Sequence, residues 1–267
     1  MSRPLANADG SASGLATTLA LTGRELTRVL RQPSRIVATI ATPVLLWVLL
    51  ASGFSRSFQS PSEGAAGTAA GYGGYLLPGM LTMTVLFTSI FGAISMIEDR
   101  REGFLQSVLV SPAPRWAIAA SKLLGSSIVA TLQASVLLPA AFAVGQGFGP
   151  MGLLLCAAAL MCTALGITGI GLAAAWWIDS VQGFHGVMNL VLMPMWLLSG
   201  SLFPLEGASG WLRALMMANP VTWCTRAMHA ALGAGDHQAG AWLATGAFGA
   251  LGVALGWATL GRGVRRL

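Results

Sequence analysis

The chain is short of charge. Only 9% of its 267 residues are Asp, Glu, Lys or Arg, against 55% that are hydrophobic. A soluble domain carries about 25% charged residues, so this deficit excludes an ordinary soluble globule and places the chain among membrane proteins. Lysine is the scarcest charge. Lys122 is the only one, and Ala120-Ser121 precede it where a phosphate-binding GxxxxGK[ST] loop requires glycine. HExxH, CxxC and GxSxG motifs are missing as well. The three cysteines (Cys156, Cys162 and Cys224) lack metal-ligand spacing, and Cys156 and Cys162 share one apolar run, as packing thiols do. His229 and His237 do not by themselves make a metal site. With no nucleotide, metal or nucleophile machinery, the chain is expected not to be an enzyme and to hold no cofactor of its own.

The apolar runs are what it has. A span needs about 20 apolar residues, and six stretches qualify, roughly 36–53, 74–97, 120–145, 151–178, 183–203 and 240–260. The expectation is an all-α integral membrane protein with one membrane domain over 14–267, preceded by a polar, disordered terminus over 1–13 that does not resemble a secretory leader. No deeply placed residue of these spans is charged, whereas a proton- or sodium-driven carrier uses an intramembrane carboxylate or histidine. His185 lies near one end of the fifth span and reads as an interfacial hydrogen-bonding group. Asp179, in the short turn before it, reads as a solvated cap.

The net charge of +6 does not point to nucleic acid, because the arginines flank apolar runs instead of forming a stripe. Basic residues so placed set topology. With the N-terminus in the cytoplasm, 12 of the 15 basic residues fall inside, and only Arg56, Arg213 and Arg226 fall outside. Both termini are therefore expected in the cytoplasm. Before the first span, residues 14–32 form an amphipathic helix candidate. Leu15, Leu19, Thr22, Leu26, Val29 and Leu30 share one face, and Arg24, Arg28 and Arg31 project from the other. Such a helix suits the interface, with its arginines toward anionic headgroups. Pro33 then allows a turn into the first span.

Charge is dense in one place only. Glu98-Asp99-Arg100-Arg101-Glu102 puts two arginines and three carboxylates in five residues. It is expected to break the second span's helix at the cytoplasmic face. Gly103 permits a turn, then Phe104, Leu105, Val108 and Leu109 recur at helical spacing before Pro112 and Pro114 stop the segment. A short helix with apolar side chains and charged shoulders can fit a groove in a soluble partner.

The stretch "EDRREGFLQSVLVSPAPRWAIAASKLL" resembles the first cytoplasmic loop of type-2 ABC exporter permeases, the membrane subunits of ATP-driven exporters. Arg101, Glu102, Gly103, Leu105, Val108, Leu109, Val110, Ser111, Pro112, Arg115 and Lys122 carry the likeness, while Gln106 departs from the acidic residue often found there. A second stretch, "LLSGSLFPLEGASGWLRALMMANPVTWCTRAM", resembles the family's outer segment through Ser199, Gly200, Phe203, Pro204, Asn219, Pro220, Thr222 and Arg226, with Trp223 in place of a frequent tyrosine. Residues 201–236 are too short and too broken by Pro204, Gly207, Gly210 and Pro220 to span, and suit re-entrant helices in the outer leaflet.

The resemblance implies a permease pair, expected to be identical, working with two ATP-binding cassette subunits that bind ATP and Mg. It implies that 98–112 is a coupling helix docking into the ATPase, and that the protein sits in a bacterial cytoplasmic membrane. The cargo would be an amphiphilic or hydrophobic molecule, drug-like, lipid or lipid-linked, passing between protomers along the first and fifth spans. Phe87, Phe91, Met188, Met193, Met195 and Trp196 offer adaptable apolar surface there, although such methionine and aromatic stripes in spans mostly serve packing. A permease for polysaccharide or another large amphiphile, and a membrane scaffold that recruits an ATPase without transport, are the alternatives. Gly246, Gly249, Gly252 and Gly256 in the last span read as a close-packing face.

Overall fold

A computed structural model of the protein describes residues 9–54, 71–103, 114–233 and 238–263. Ten α-helices lie within them: α1 (Asp9–Leu30), α2 (Pro33–Phe54), α3 (Gly71–Arg101), α4 (Arg115–Ser135), α5 (Pro139–Ala143), α6 (Pro150–Trp177), α7 (Val181–Leu197), α8 (Gly210–Ala218), α9 (Pro220–Ala231) and α10 (Ala239–Gly263). Among the described residues there is no strand. Five stretches are long and apolar enough to cross a membrane: Pro33–Phe54, Gly71–Arg101, Trp116–Ala143, Pro150–Trp177 and Ala239–Thr259. The molecule is an all-α, multi-spanning helical bundle.

α3 is its axis. It packs against α2, α4, α6, α7 and α9, and from Leu76 to Ile97 every residue is buried except Phe87 and Phe91. Lipid tails are as apolar as leucine, so helices gain little from hydrophobic exclusion inside a bilayer and associate through close packing and hydrogen bonds. Both are present. α6 meets α10 through glycines: a Cβ on Gly252 would lie 2.3 Å from the Leu165 carbonyl oxygen, and one on Gly249 would lie 3.0 Å from that of Cys162. Gly246 faces open space, so the glycine series packs through its middle members. Gln133 on α4 accepts hydrogen bonds from Thr39 on α2 (3.0 Å) and Thr88 on α3 (2.6 Å), tying three helices at one buried amide. The Trp196 indole on α7 donates to the Gly79 carbonyl of α3 at 2.8 Å.

Several boundaries differ from expectation, each for a local reason. α1 is helical from Asp9, ahead of the expected start at 14. The expected third span, 120–145, begins earlier and is interrupted over 136–138, because Pro139 has no N–H to continue α4 and instead opens α5. The expected fifth span, 183–203, is helical only over Val181–Leu197, since Gly200 adopts φ +77° and turns the chain. At 1.5 Å per residue its 17 residues rise about 26 Å, close to the hydrocarbon thickness of about 30 Å. The charged run does not break the second span. α3 continues through Arg101 because its carboxylates are paired, as described below.

The α6–α10 contact generates a test. Gly252→Ala should lower thermal stability in detergent by roughly 1–3 kcal/mol, as overpacking does, whereas Gly246→Ala should be neutral. Equal unfolding temperatures for the two variants, followed by tryptophan fluorescence, would remove the close-packing account.

Candidate functional site

The charged end of the bundle is built around Lys122. Its ammonium contacts Glu25 Oε1 at 2.6 Å, pairs with Asp99 Oδ2 and lies 3.2 Å from Ser95 Oγ. Lys122 is 5% exposed, Glu25 6% and Asp99 1%. Asp99 Oδ1 also receives Arg28 at 3.1 Å and Arg24 at 3.6 Å, and Arg28 reaches Glu98 Oε2 at 2.6 Å. Three cations face three carboxylates, contributed by α1, α3 and α4. A buried charge persists only when it is paired and hydrogen-bonded, and here every member has a partner of opposite sign.

Small residues make this approach possible. α1 turns Gly14, Thr18, Thr22 and Glu25 inward, a spacing of about one helical turn each. A Cβ on Gly14 would lie 2.3 Å from the Trp116 ring, and one on Gly125 of α4 would lie 3.0 Å from Glu25 Cβ. The apolar Leu15, Leu19 and Leu30 point out of the protein, Leu19 at 72% exposure. The sequence placed Thr22 among those leucines and all three arginines toward headgroups. Thr22 belongs to the buried face, Arg28 is engaged by carboxylates of α3, and Arg31 is exposed.

The neighbouring Arg100 anchors the other side of α3. It donates to the carbonyls of Trp176 (3.0 Å) and Ile178 (3.2 Å) and pairs with Asp179 at 2.6 Å. A cation on the last carbonyls of α6 satisfies acceptors that the helix itself leaves open. Asp179 is solvated, its side chain 89% exposed, and also ion-paired.

Beyond these anchors α3 ends on a left-handed residue. Glu102 N–H donates to Glu98 O at 2.9 Å, and Gly103 has φ +74°, a conformation that glycine adopts without a Cβ penalty. Arg101 and Glu102 are exposed. Phe104, Leu105, Val108, Leu109 and Pro112 lie outside the described residues, as does His237. The chain resumes at Pro114, and Arg115 opens α4.

The opposite end gathers the second motif. Gly200 takes its positive φ between α7 and the short helices, and its carbonyl accepts from Tyr75 OH. Asn219 caps α9 by accepting from Val221 N–H (3.1 Å) while its amide donates to Met195 O (2.6 Å), and Pro220 fills the first helical position. Arg226 pairs with Glu206 at 3.2 Å and lies over the Trp223 ring. Phe203 is half-buried and Pro204 exposed. A cavity of about 220 Å³ opens here, lined by Tyr75, Glu206, Thr225, Arg226 and His229 among others.

A family model described as ABC-2 type transporter, for the membrane component, matches residues 17–232. The chain belongs to that family. This permease is 31% identical over 152 residues to the "Probable multidrug ABC transporter permease YbhR" of Escherichia coli K12, a match covering 56% of this chain and 41% of that protein. It is 26% identical over 195 residues to the "Putative transport permease ycf38" of Cyanophora paradoxa, covering 72% of this chain and 66% of the relative. The ycf38 of Porphyra purpurea is 23% identical over 206 residues, covering 76% and 69%. The match thus spans less than half the length of the Escherichia coli relative. As a member of the family, the permease is the non-catalytic membrane component of an ABC transporter.

Residue motifs located both ends of the permease but missed the ion cluster. Glu25 is the only carboxylate between residues 10 and 30, and Lys122 the only lysine in the chain. Two isolated opposite charges within otherwise apolar or small-residue faces were the available signal.

The cluster yields a prediction. Lys122→Met should destabilise the permease by about 3–5 kcal/mol, as stranding a buried carboxylate does, and Lys122→Met with Glu25→Gln should recover part of the loss. Asp179→Ala should cost no more than about 1 kcal/mol, the lost carboxylate being solvent-facing and Arg100 keeping its carbonyl acceptors. The folded fraction on size-exclusion chromatography reads all three. No recovery in the double variant would dissolve the claimed Lys122–Glu25 coupling.

Proposed function

We propose that this permease is the membrane half of an ATP-driven exporter and receives its energy through the segment that follows Gly103. The observation that carries the reading is mechanical. α3, the central helix, is fixed at its charged end to α1 and α4 through Asp99 and to α6 through Arg100, and its last exposed residues, Arg101 and Glu102, lead into residues 104–112. A push delivered to that segment reaches an ion-paired block, not a frayed end.

In this reading the 98–112 segment begins as the last turn of α3 and continues past Gly103 as the coupling helix, with Phe104, Leu105, Val108 and Leu109 as its apolar face and Pro112 as its stop, docked on an ATP-binding cassette subunit that binds ATP and Mg. Two such subunits serve two permease protomers, taken to be identical. α7 counts as the fifth span of six, both termini lie in the cytoplasm, and the membrane is a bacterial cytoplasmic membrane. α1 rests in the interface with Leu15 and Leu19 in lipid, and presents the exposed polar residues of its far end, Thr27 and the following Arg31, to the ATPase. α8 and α9, at 9 and 12 residues too short to span, are the outer re-entrant helices, with Trp211 and Arg213 at the interface. The cargo is an amphiphilic or hydrophobic molecule leaving the cytoplasm. The exposed apolar flanks of α2 (Val44, Leu45, Val48, Leu49) and α7 (Val187, Leu190, Val191) support a route between protomers along these helices.

Gly103 provides the test. Proline cannot adopt φ +74° and has no N–H to keep the contact with Arg100 O. In a tagged pull-down from native membranes in mild detergent, the wild-type permease should bring down ATPase activity. Gly103→Pro should reduce that activity at least about tenfold, a loss of about 1.4 kcal/mol in docking, with unchanged permease recovery. Undiminished ATPase recovery with Gly103→Pro would sink the coupling-helix assignment.

A further inference from the structure

Phe87 and Phe91 are the only residues of α3 between Leu76 and Ile97 that are not buried. With Glu98 they form one stripe, since offsets of four and seven residues return to nearly the same helix face. The stripe shows through a slot between the start of α2 and the start of α7. Arg35 of α2 lays its guanidinium over the Phe91 ring, 4.8 Å from the centroid, and His185 of α7 meets the same ring edge-on at 5.6 Å. Gln32, Arg35, Phe91, Glu98, Val181 and His185 line a cavity of about 340 Å³, within the range that holds small molecules.

The charges in this cavity are not equivalent. Glu98 is held by Arg28 at 2.6 Å. Among the described residues no ion pair includes Arg35, whose side chain donates to the Gln32 amide oxygen at 3.2 Å. A half-buried guanidinium with no carboxylate at ion-pair distance, acted on by Glu98 only from farther off and set beside an imidazole, is a site for an anion. One turn along α3, Phe87 continues the floor. Asn189 and Met193 of α7 border Phe87 on that side.

We infer that this slot is the cytoplasmic-leaflet binding site for an amphiphilic anion, its headgroup held by Arg35 and His185 and its tail laid over Phe91 and Phe87. The inference rests on the exporter reading and names the headgroup chemistry of its cargo. A cation is disfavoured because the one carboxylate of the slot is already neutralised. A free inorganic anion would leave the aromatic floor of Phe91 and Phe87 without purpose.

The test uses the full-length permease in phosphatidylcholine nanodiscs without any ATPase, so its failure leaves the pull-down result on coupling intact. Three fluorescent probes share one acyl chain: an NBD-labelled lysophosphatidylglycerol, a lysophosphatidylcholine and a cationic alkylamine. The anionic probe should bind at least about tenfold more tightly than the other two, the scale of one charge-assisted contact. Arg35→Gln should erase the difference, Arg35→Lys should retain part of it, and Arg31→Gln, an exposed arginine at the same end, should leave it unchanged. Millimolar inorganic phosphate should not displace the probe. Equal or better binding of the zwitterionic or cationic probe to the wild type would overturn the inference without reference to any variant. Displacement by inorganic phosphate, or a loss with Arg31→Gln as large as with Arg35→Gln, would overturn it too.

Discussion

Lys122 holds the charged end of this permease together. Its ammonium joins Glu25 of α1 to Asp99 of α3 from a position on α4, and all three side chains are almost fully buried. Hydrophobic residues of the same size would cost less to bury, since the desolvation of ions consumes much of what pairing returns. What the ionic arrangement supplies is registry. A leucine contact tolerates sliding by an ångström, whereas moving α1 by one residue would separate Arg28 from Glu98 and Glu25 from Lys122 together. The cluster therefore fixes the depth and rotation of α1 against α3, and it does so where α3 leaves the bundle.

Everything else at that end is arranged to respect this registry. Gly14 and Gly125 keep α1 close to α4, and Arg100 fastens the opposite side of α3 to the last carbonyls of α6. The helix so gripped is also the one that touches α2, α4, α6, α7 and α9. Displacement at residue 103 is consequently shared among most of the bundle. In the membrane interior, where exclusion of water drives little, Gln133 and the α6–α10 glycines hold the neighbours in place. The ends are held by charge and the middle by close approach.

Spans announce themselves by length and apolarity, so five of the stretches, and the core of α7, were legible in the sequence alone. The turn at Gly103 and the break at Pro220, which opens α9, were legible because glycine and proline must occupy particular places, whereas the turn at Gly200 fell inside an expected span. The length of α3 was not legible. A run of five charges looks like a helix end, and only the three-dimensional partners of Asp99 and Arg100 let the helix continue. Nor could periodicity assign the faces of α1. A two-sided helix with leucines out and Gly14, Thr18 and Thr22 in has the same period whichever face meets protein, and the choice depends on the glycine and lysine that α4 presents.

Glu98 belongs to both sites. It accepts Arg28 on one side and lines the slot beside Arg35 on the other. While Arg28 remains in place, the slot has one uncompensated guanidinium. If α1 draws Arg28 away, the Glu98 carboxylate is left to face Arg35 across the slot. The charge of Glu98 already acts on Arg35, and without Arg28 that pull strengthens, so the carboxylate competes with a bound anion for the same guanidinium. The residue that secures α1 is thus also part of the charge balance of the cavity, so the registry of that helix and the electrostatics of the slot are one arrangement.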